Sequence, residues 1–267
     1  MSKRWVLWGL LTLGLASSAL VHAEAPMSAE AIVARSQRAF LYPGSDMKAR
    51  ILMTLTPKSG QKRIRELTML RRNGTRDWEQ KYFIYFHQPA DVKGMTLLVA
   101  KYPGRDDDRW LFIPAVNLVK RIAARDASQS FVGSDFTYEH VSGRDVDADA
   151  YKLLREEKAG DRDCYVIEGT ARSPAEYKRK LSWIDRSTYL PIKEEYYDSK
   201  DELFKVFTAD EIRDVGGFPT VVRRTMSNAK SGHRTEVFFA AVAYDLGIGV
   251  DLFTERYLRE PPRRWVQ

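Results

Sequence analysis

Lys48-Ala49-Arg50-Ile51-Leu52-Met53-Thr54-Leu55 decides the fold class of this chain. Side chains of an extended strand alternate with a period of two, so Ala49, Ile51, Met53 and Leu55 share one face and Lys48, Arg50 and Thr54 the other. Lys58-Ser59-Gly60 supplies a turn, and residues 63–72 alternate again, imperfectly, as the second arm of a hairpin. Asn73-Gly74 is a strong turn signal. Residues 79–87 follow as a third strand, with Tyr82, Ile84 and Phe86 on one side and Phe83 and Tyr85 on the other.

Working outward, the same rhythm continues to the end of the chain. Short strands are expected at 95–102, 109–113 and 117–123. Further strands are expected at 151–158, 164–171, 178–185, 191–198, 203–213, 220–228 and 236–243, with turns at 185–188, 215–217 and 230–232. Three helical pieces interrupt them. Ser28 is a good N-cap, Met27 can staple to Ile32, and Ile32, Val33, Ser36, Ala39 and Phe40 lie on one face until Tyr42-Pro43-Gly44 ends the helix. A short helix is expected over 134–140, capped by Ser134 or Asp135, and a last helical turn over 252–258. The total is eleven to thirteen strands, so the expectation is a mainly β protein built as a large antiparallel sheet or open barrel. No linker, low-complexity stretch or repeat divides residues 24–267, which read as a single domain.

Several strands are apolar on both faces, notably 82–86, 109–113 and 203–207. A sheet packed on one side only should alternate. Either helices or edges cover the second face, or one face lines a cavity.

The N-terminus sets the compartment. Lys3 and Arg4 precede an apolar run from residue 6 to 15, and Val21-His22-Ala23 fits a small-x-small cleavage site, with Ala23-Glu24-Ala25 as a second frame. Residues 1–23 are thus expected to be a signal peptide, and the mature protein soluble and periplasmic. The chain carries a net charge of +7; removal of Lys3 and Arg4 leaves a smaller positive excess. That excess allows peripheral contact with anionic membrane surfaces, and export argues against nucleic acid. The one cysteine, Cys164, cannot form an internal disulfide and reads as a buried strand residue.

Chemistry is not evident. His87, His140 and His233 sit at a strand end, on a short helix and in a turn, and show no metal-ligand spacing. Gly-x-Ser-x-Gly, Ser-x-x-Lys and phosphate-loop patterns are absent. Asp106-Asp107-Asp108 lacks the ligand spacing of a calcium loop and reads as a solvated turn. Glu194-Glu195 and Glu156-Glu157 alternate across strand faces, so neither pair converges. The expectation is therefore a protein with no cofactor or metal that is not an enzyme.

Two stretches carry a family likeness. One runs from Asp108-Arg109-Trp110-Leu111-Phe112-Ile113-Pro114-Ala115 to Ser130-Phe131-Val132-Gly133-Ser134-Asp135-Phe136-Thr137-Tyr138-Glu139. The other runs from Trp183-Ile184-Asp185 through Leu190-Pro191-Ile192-Lys193 to Tyr196-Tyr197-Asp198. Together they resemble the LolA-like outer-membrane lipoprotein-sorting superfamily, and within it a branch of uncharacterised periplasmic proteins. Val132 stands where that branch usually has methionine, and His140 where an acid is usual. The resemblance implies a half-open antiparallel β-barrel of about 11 strands with helices over its concave face. It also implies a carrier that shields lipid or lipoprotein acyl chains during transfer across the periplasm. Members of the branch often look like accessories of resistance-nodulation-division type exporters, so an inner-membrane exporter is a candidate partner. A non-carrying adaptor or envelope sensor is the alternative.

For a carrier, the candidate lining is Trp110, Phe112, Phe131, Phe136 and Tyr138, with Met53, Met95 and Leu97 on adjacent strands. Gly133 and Gly143 bound the short helix and are candidate hinges for a lid.

Overall fold

The computed structural model describes residues 27–266; the expected signal peptide, residues 1–23, lies outside them. Helix α1 (Ala29–Leu41) comes first. Strands β1 (Asp46–Thr56), β2 (Arg63–Asn73), β3 (Gln80–Gln88), β4 (Thr96–Lys101), β5 (Asp108–Ile113) and β6 (Leu118–Arg121) follow. A crossover segment, residues 122–148, contains the short helix α2 (Tyr138–Ser142). The second half comprises β7 (Asp149–Ala159), β8 (Arg162–Ala171), β9 (Arg179–Asp185), β10 (Pro191–Tyr197), β11 (Leu203–Val215), β12 (Phe218–Asn228) and β13 (Arg234–Tyr244). Two single-turn helices, α3 (Arg256–Arg259) and α4 (Arg263–Val266), end the chain.

All thirteen strands join one antiparallel sheet in the order β6-β5-β4-β3-β2-β1-β13-β12-β11-β10-β9-β8-β7. The thirteen strands are those the sequence rhythm places, at the upper end of the expected eleven to thirteen and above the about 11 that the family resemblance implies. Each strand except β6 neighbours its successor in sequence, and one neighbouring pair is not consecutive. The pairing of β1 with β13, in which Met53 faces Val237, splices the two halves. The passage from β6 to β7 joins the two open edges. A sheet of this size curls because its strands twist. The segment between its edges must therefore span the mouth, and residues 122–148 do so.

The period-two parity of each strand decides which layer a residue joins. The concave face holds the main core: Ala49, Ile51, Met53 and Leu55 of β1, Tyr82, Ile84 and Phe86 of β3, and Val222 and Met226 of β12. Phe131, Phe136 and Tyr138 of the crossover segment pack into it. On the convex face Leu70, Phe83, Leu98 and Phe112 are covered by Ile248, Leu252, Phe253, Leu258 and Val266 of the C-terminal segment. Thr96 and Thr68 donate to the carbonyls of Leu258 (2.8 Å) and Val266 (3.2 Å), pinning that segment to β4 and β2. The two-sided apolarity of β3 and β5 is thus cover by the C-terminal segment, and not a second cavity.

Helix α1 forms where expected. Ser28 accepts from the Ala31 amide, and Ile32 and Val33 pack on Ile167 and Ile184, with Met27 beside them. The short helix differs from expectation. It begins at Tyr138, not Ser134, because residues 130–137 form a tight hairpin instead. Phe131 donates to the Phe136 carbonyl at 2.8 Å and Ser134 to the Phe131 carbonyl at 3.0 Å. The two residues between, Val132 and Gly133, both have positive φ, which suits a type I′ turn.

Candidate functional site

The mouth of the sheet is closed by three devices carried on the crossover segment. At the hairpin tip the Asp135 amide donates to Thr235 Oγ1 at 3.0 Å. The Asp135 carboxylate accepts from Thr235 Oγ1 (2.7 Å) and lies 2.6 Å from His233 Nδ1. In the hairpin body, Phe131 packs against Phe86 and Tyr138, with ring centroids 5.9 and 5.7 Å away. At the far end Lys101 Nζ donates to the Gly143 carbonyl (3.0 Å) and pairs with Asp145 (2.6 Å). Asp107 accepts from Arg109 (2.6 Å) and Ser142 (3.1 Å). Asp107 is therefore no solvated turn residue: it is an inward anchor for α2, and burial pushes its carboxyl above the ordinary range. Gly143 has φ 77°, and a Cβ there would strike Leu41 of α1.

Helix α2 is held by a capping box in which His140 does the work of the usual acid. The Thr137 amide donates to His140 Nδ1 at 3.0 Å, and the His140 amide donates to Thr137 Oγ1 at 3.3 Å. Nδ1 accepts, so the neutral ring carries its proton on Nε2, which faces Tyr196 Oη at 3.3 Å. Burial, with Lys205, Lys180 and Arg224 nearby, holds this imidazole well below its ordinary pKa. A neutral histidine satisfies the cap as a glutamate would, without adding a charge to the interior.

The concave face is chemically divided. Under the hairpin, Ile51, Met53, Leu67, Met69, Phe131, Phe136 and Val237 surround a small apolar void of about 40 Å³. Under α1 and α2, strands β7 to β11 present a buried polar network around a cavity of about 120 Å³. There Arg144 pairs with Asp149 and Glu139, both at 2.9 Å. Tyr177 donates to Asp149 at 2.6 Å, Lys180 pairs with Glu194 at 2.8 Å, and Lys205 pairs with Glu176. Burial raises the Glu176 carboxyl although Lys205 opposes it. These charges are matched cation to anion, as interior charges must be.

Two inward cations are exceptions: Arg65 of β2, which is buried with its Nη1 lacking a partner and meets no ion pair among the described residues, and Arg224 of β12. Arg224 shares the inward parity of β12 with Val222 and Met226, and its guanidinium lies among the rings of Phe239 (4.8 Å), Phe40 (5.2 Å) and Phe136 (5.8 Å). No ion pair reaches it among the described residues, and its Nε is buried without a partner. Desolvation pulls its pKa down to about 10.

Of the sequence-derived lining, Met53, Met95, Leu97, Phe131, Phe136 and Tyr138 come together on the concave side. Trp110 and Phe112 do not: they face the C-terminal segment on the convex side. On β5 the concave positions are Leu111 and Ile113, one residue out of step, and a one-residue offset places a side chain on the opposite layer. Arg224 and the polar network were missed. Their signal was available in Val222-Arg223-Arg224-Thr225-Met226, where strict alternation puts Arg224 in line with two core residues. Among the described residues no group of His, Cys, Asp or Glu side chains is arranged to hold a metal ion.

Solved structures share this architecture. The chain is 26% identical to an outer membrane lipoprotein-sorting protein domain from Vibrio parahaemolyticus, over 86% of this chain and 98% of that one, with a TM-score of 0.81. It is 28% identical to a DUF1329 family protein from Desulfovibrio piger, over 85% and 95% of the two chains, with a TM-score of 0.79. A LolA superfamily protein from Nitrosomonas europaea, at 20% identity over 87% and 100%, shares the fold with a TM-score of 0.69. The fold and site thus define a LolA-like protein of the lipoprotein-sorting superfamily. A family model described as an uncharacterized protein matches residues 78–260, and the chain belongs to that family. No curated protein matches the sequence.

Proposed function

We propose that this protein is a periplasmic carrier that takes the acyl chain of a lipid or lipoprotein into its concavity, with residues 122–148 as the lid. The observation that carries this reading is the placement of the hairpin. The segment that must bridge the sheet edges inserts Phe131 and Phe136 into an apolar face rich in methionine. Those rings occupy the ground an acyl chain would take. A chain of sixteen carbons gains on the order of 12 kcal/mol from burial, at about 0.8 kcal/mol per methylene. The voids of about 40 and 120 Å³ are smaller than the roughly 300–1,000 Å³ of ordinary ligand pockets. Cargo therefore enters by displacing the hairpin about Gly143, and on release the two phenylalanines return; Gly133, expected to bound the short helix, lies in the hairpin's own turn and moves with it. Exchange of like for like keeps loading and unloading close in free energy, which transfer between partners requires.

Mass spectrometry of organic extracts from protein purified out of the periplasm without detergent tests this. A stoichiometric lipid or lipopeptide is the expected result. The filled concavity is also the observation that favours a second reading, an adaptor that docks on an inner-membrane exporter and carries nothing. A folded sample free of lipid, beside a control carrier that retains it, would replace the first reading with the second.

A further inference from the structure

Arg224 stands at the junction of two voids. One is the apolar void beneath the hairpin. The other, about 50 Å³, lies between α1 and strands β1 to β3, β12 and β13, and its lining is part polar and part apolar. Arg71, Arg224, Tyr82, Tyr244 and Thr220 all border it, together with the neutral His140, and no carboxylate does. Arg71 spends its terminal nitrogens on the carbonyls of Leu41 (2.6 Å), Pro43 and Gly44, and its Nε is buried without a partner. Arg224 has no hydrogen-bond partner among the described residues, and aromatic faces are its main neighbours.

Arg224 is half-buried with its Nε fully enclosed, and a guanidinium group drawn out of water is repaid only by a matched anion and full hydrogen bonding. Elsewhere in the concavity this chain meets that demand: Arg144, Lys180 and Lys205 each have an acid. Among the described residues the omission is confined to Arg65, Arg71 and Arg224, and at Arg224 it occurs where a space of a few heavy atoms adjoins the apolar void beneath the hairpin. We infer that the concavity binds a single-chain anionic amphiphile, with its carboxylate or phosphate monoester between Arg224 and Arg71 and its acyl chain beneath Phe131 and Phe136. A planar guanidinium suits either headgroup through paired N–H donors. This assignment rests on the carrier reading and names the class of cargo.

Binding of laurate, dodecanol, lauroyl lysophosphatidate and inorganic phosphate to the delipidated protein, each below its micellar concentration, tests it by calorimetry. Laurate or lysophosphatidate should bind at least tenfold more tightly than dodecanol, and whichever leads identifies the headgroup. Arg224→Met should reduce the anionic ligands to the level of dodecanol and leave dodecanol unchanged, while Arg224→Lys keeps part of the preference. The methionine removes an unmatched charge from an apolar site, so its melting temperature should not fall. If it fails to fold, Arg224→Gln gives the same comparison. Equal binding of laurate and dodecanol by the native protein, or a preference that survives in Arg224→Met, overturns the inference and leaves the carrier reading standing. Inorganic phosphate binding as tightly as lysophosphatidate overturns the amphiphile assignment. If no chain-bearing probe binds, the carrier reading itself fails.

Discussion

Replacing Phe131 and Phe136 together by alanine asks whether the hairpin is a lid or part of the core that holds the sheet. Both rings are nearly buried, 4% and 8% exposed, and truncation of a buried phenylalanine costs about 3–5 kcal/mol. The two share one cluster, so their costs will not simply add. Taking only about 3 kcal/mol for the pair, the balance between docked and undocked hairpin moves by about a hundredfold, at about 1.4 kcal/mol per factor of ten. If the hairpin opens by itself, that loss falls on residues 122–148 and spares the sheet, whose strand pairing stops at Arg121 and resumes at Asp149, with only Ile122 and Ala148 at the two ends bonded to its backbone. Hydrogen exchange resolved by peptide should then show faster exchange across 122–148 and unchanged protection in β1, β2 and β13. The global unfolding midpoint in urea should change little. Aspartate at both positions should go further and abolish retention of cargo in a protein that stays folded. The reasoning is refuted if β1 and β13 lose protection in step with the hairpin, because the two rings would then be structural core.

Asp185 in the β9–β10 turn accepts from the amides of Ser187 and Thr188 at 2.9 and 2.7 Å and pairs with Arg162 at 3.0 Å; these bonds, overcoming burial, hold its carboxyl at about 2. A carboxyl lowered in the fold stabilises above its unfolded pKa and loses that contribution as pH falls from about 4 to about 2, so Asp185→Ala should cost about 2 kcal/mol at neutral pH and flatten the acid limb of a stability profile. His140 is held below its ordinary pKa, so its contribution is complete above about pH 6.5 and is lost as pH falls, the unfolded chain then binding the extra proton; His140→Asn should reduce the slope of stability below about pH 6.5, to which His87, lowered by burial and Arg50, adds and which the raised carboxyls of Asp107 and Glu176 oppose. Leu258→Ala, at a side chain 1% exposed, should cost about 2–5 kcal/mol and increase binding of a hydrophobic dye at the convex face, while cargo binding in the concavity persists.

The alternation of apolar and polar residues along short segments was enough to locate every strand, because a strand's period and its bounding turns are local properties. Ser28 and the Tyr42-Pro43-Gly44 stop were likewise enough for α1. Which face of each strand points inward was not decided locally. On β5, apolar side chains stand on both faces, and only the C-terminal segment lying over Phe83 and Phe112 makes Trp110 and Phe112 convex. The start of α2 depended on a hairpin whose tip is fastened to Thr235, a hundred residues away in sequence. The unmatched charge of Arg224 is the clearest case. Its inward parity is written in Val222-Arg223-Arg224-Thr225-Met226, but whether an acid meets it depends on side chains from α1, β3 and β13. Pairing of charges is a property of three-dimensional neighbours, and those neighbours are set only when the two halves of the sheet join at β1 and β13 and the crossover segment closes over them.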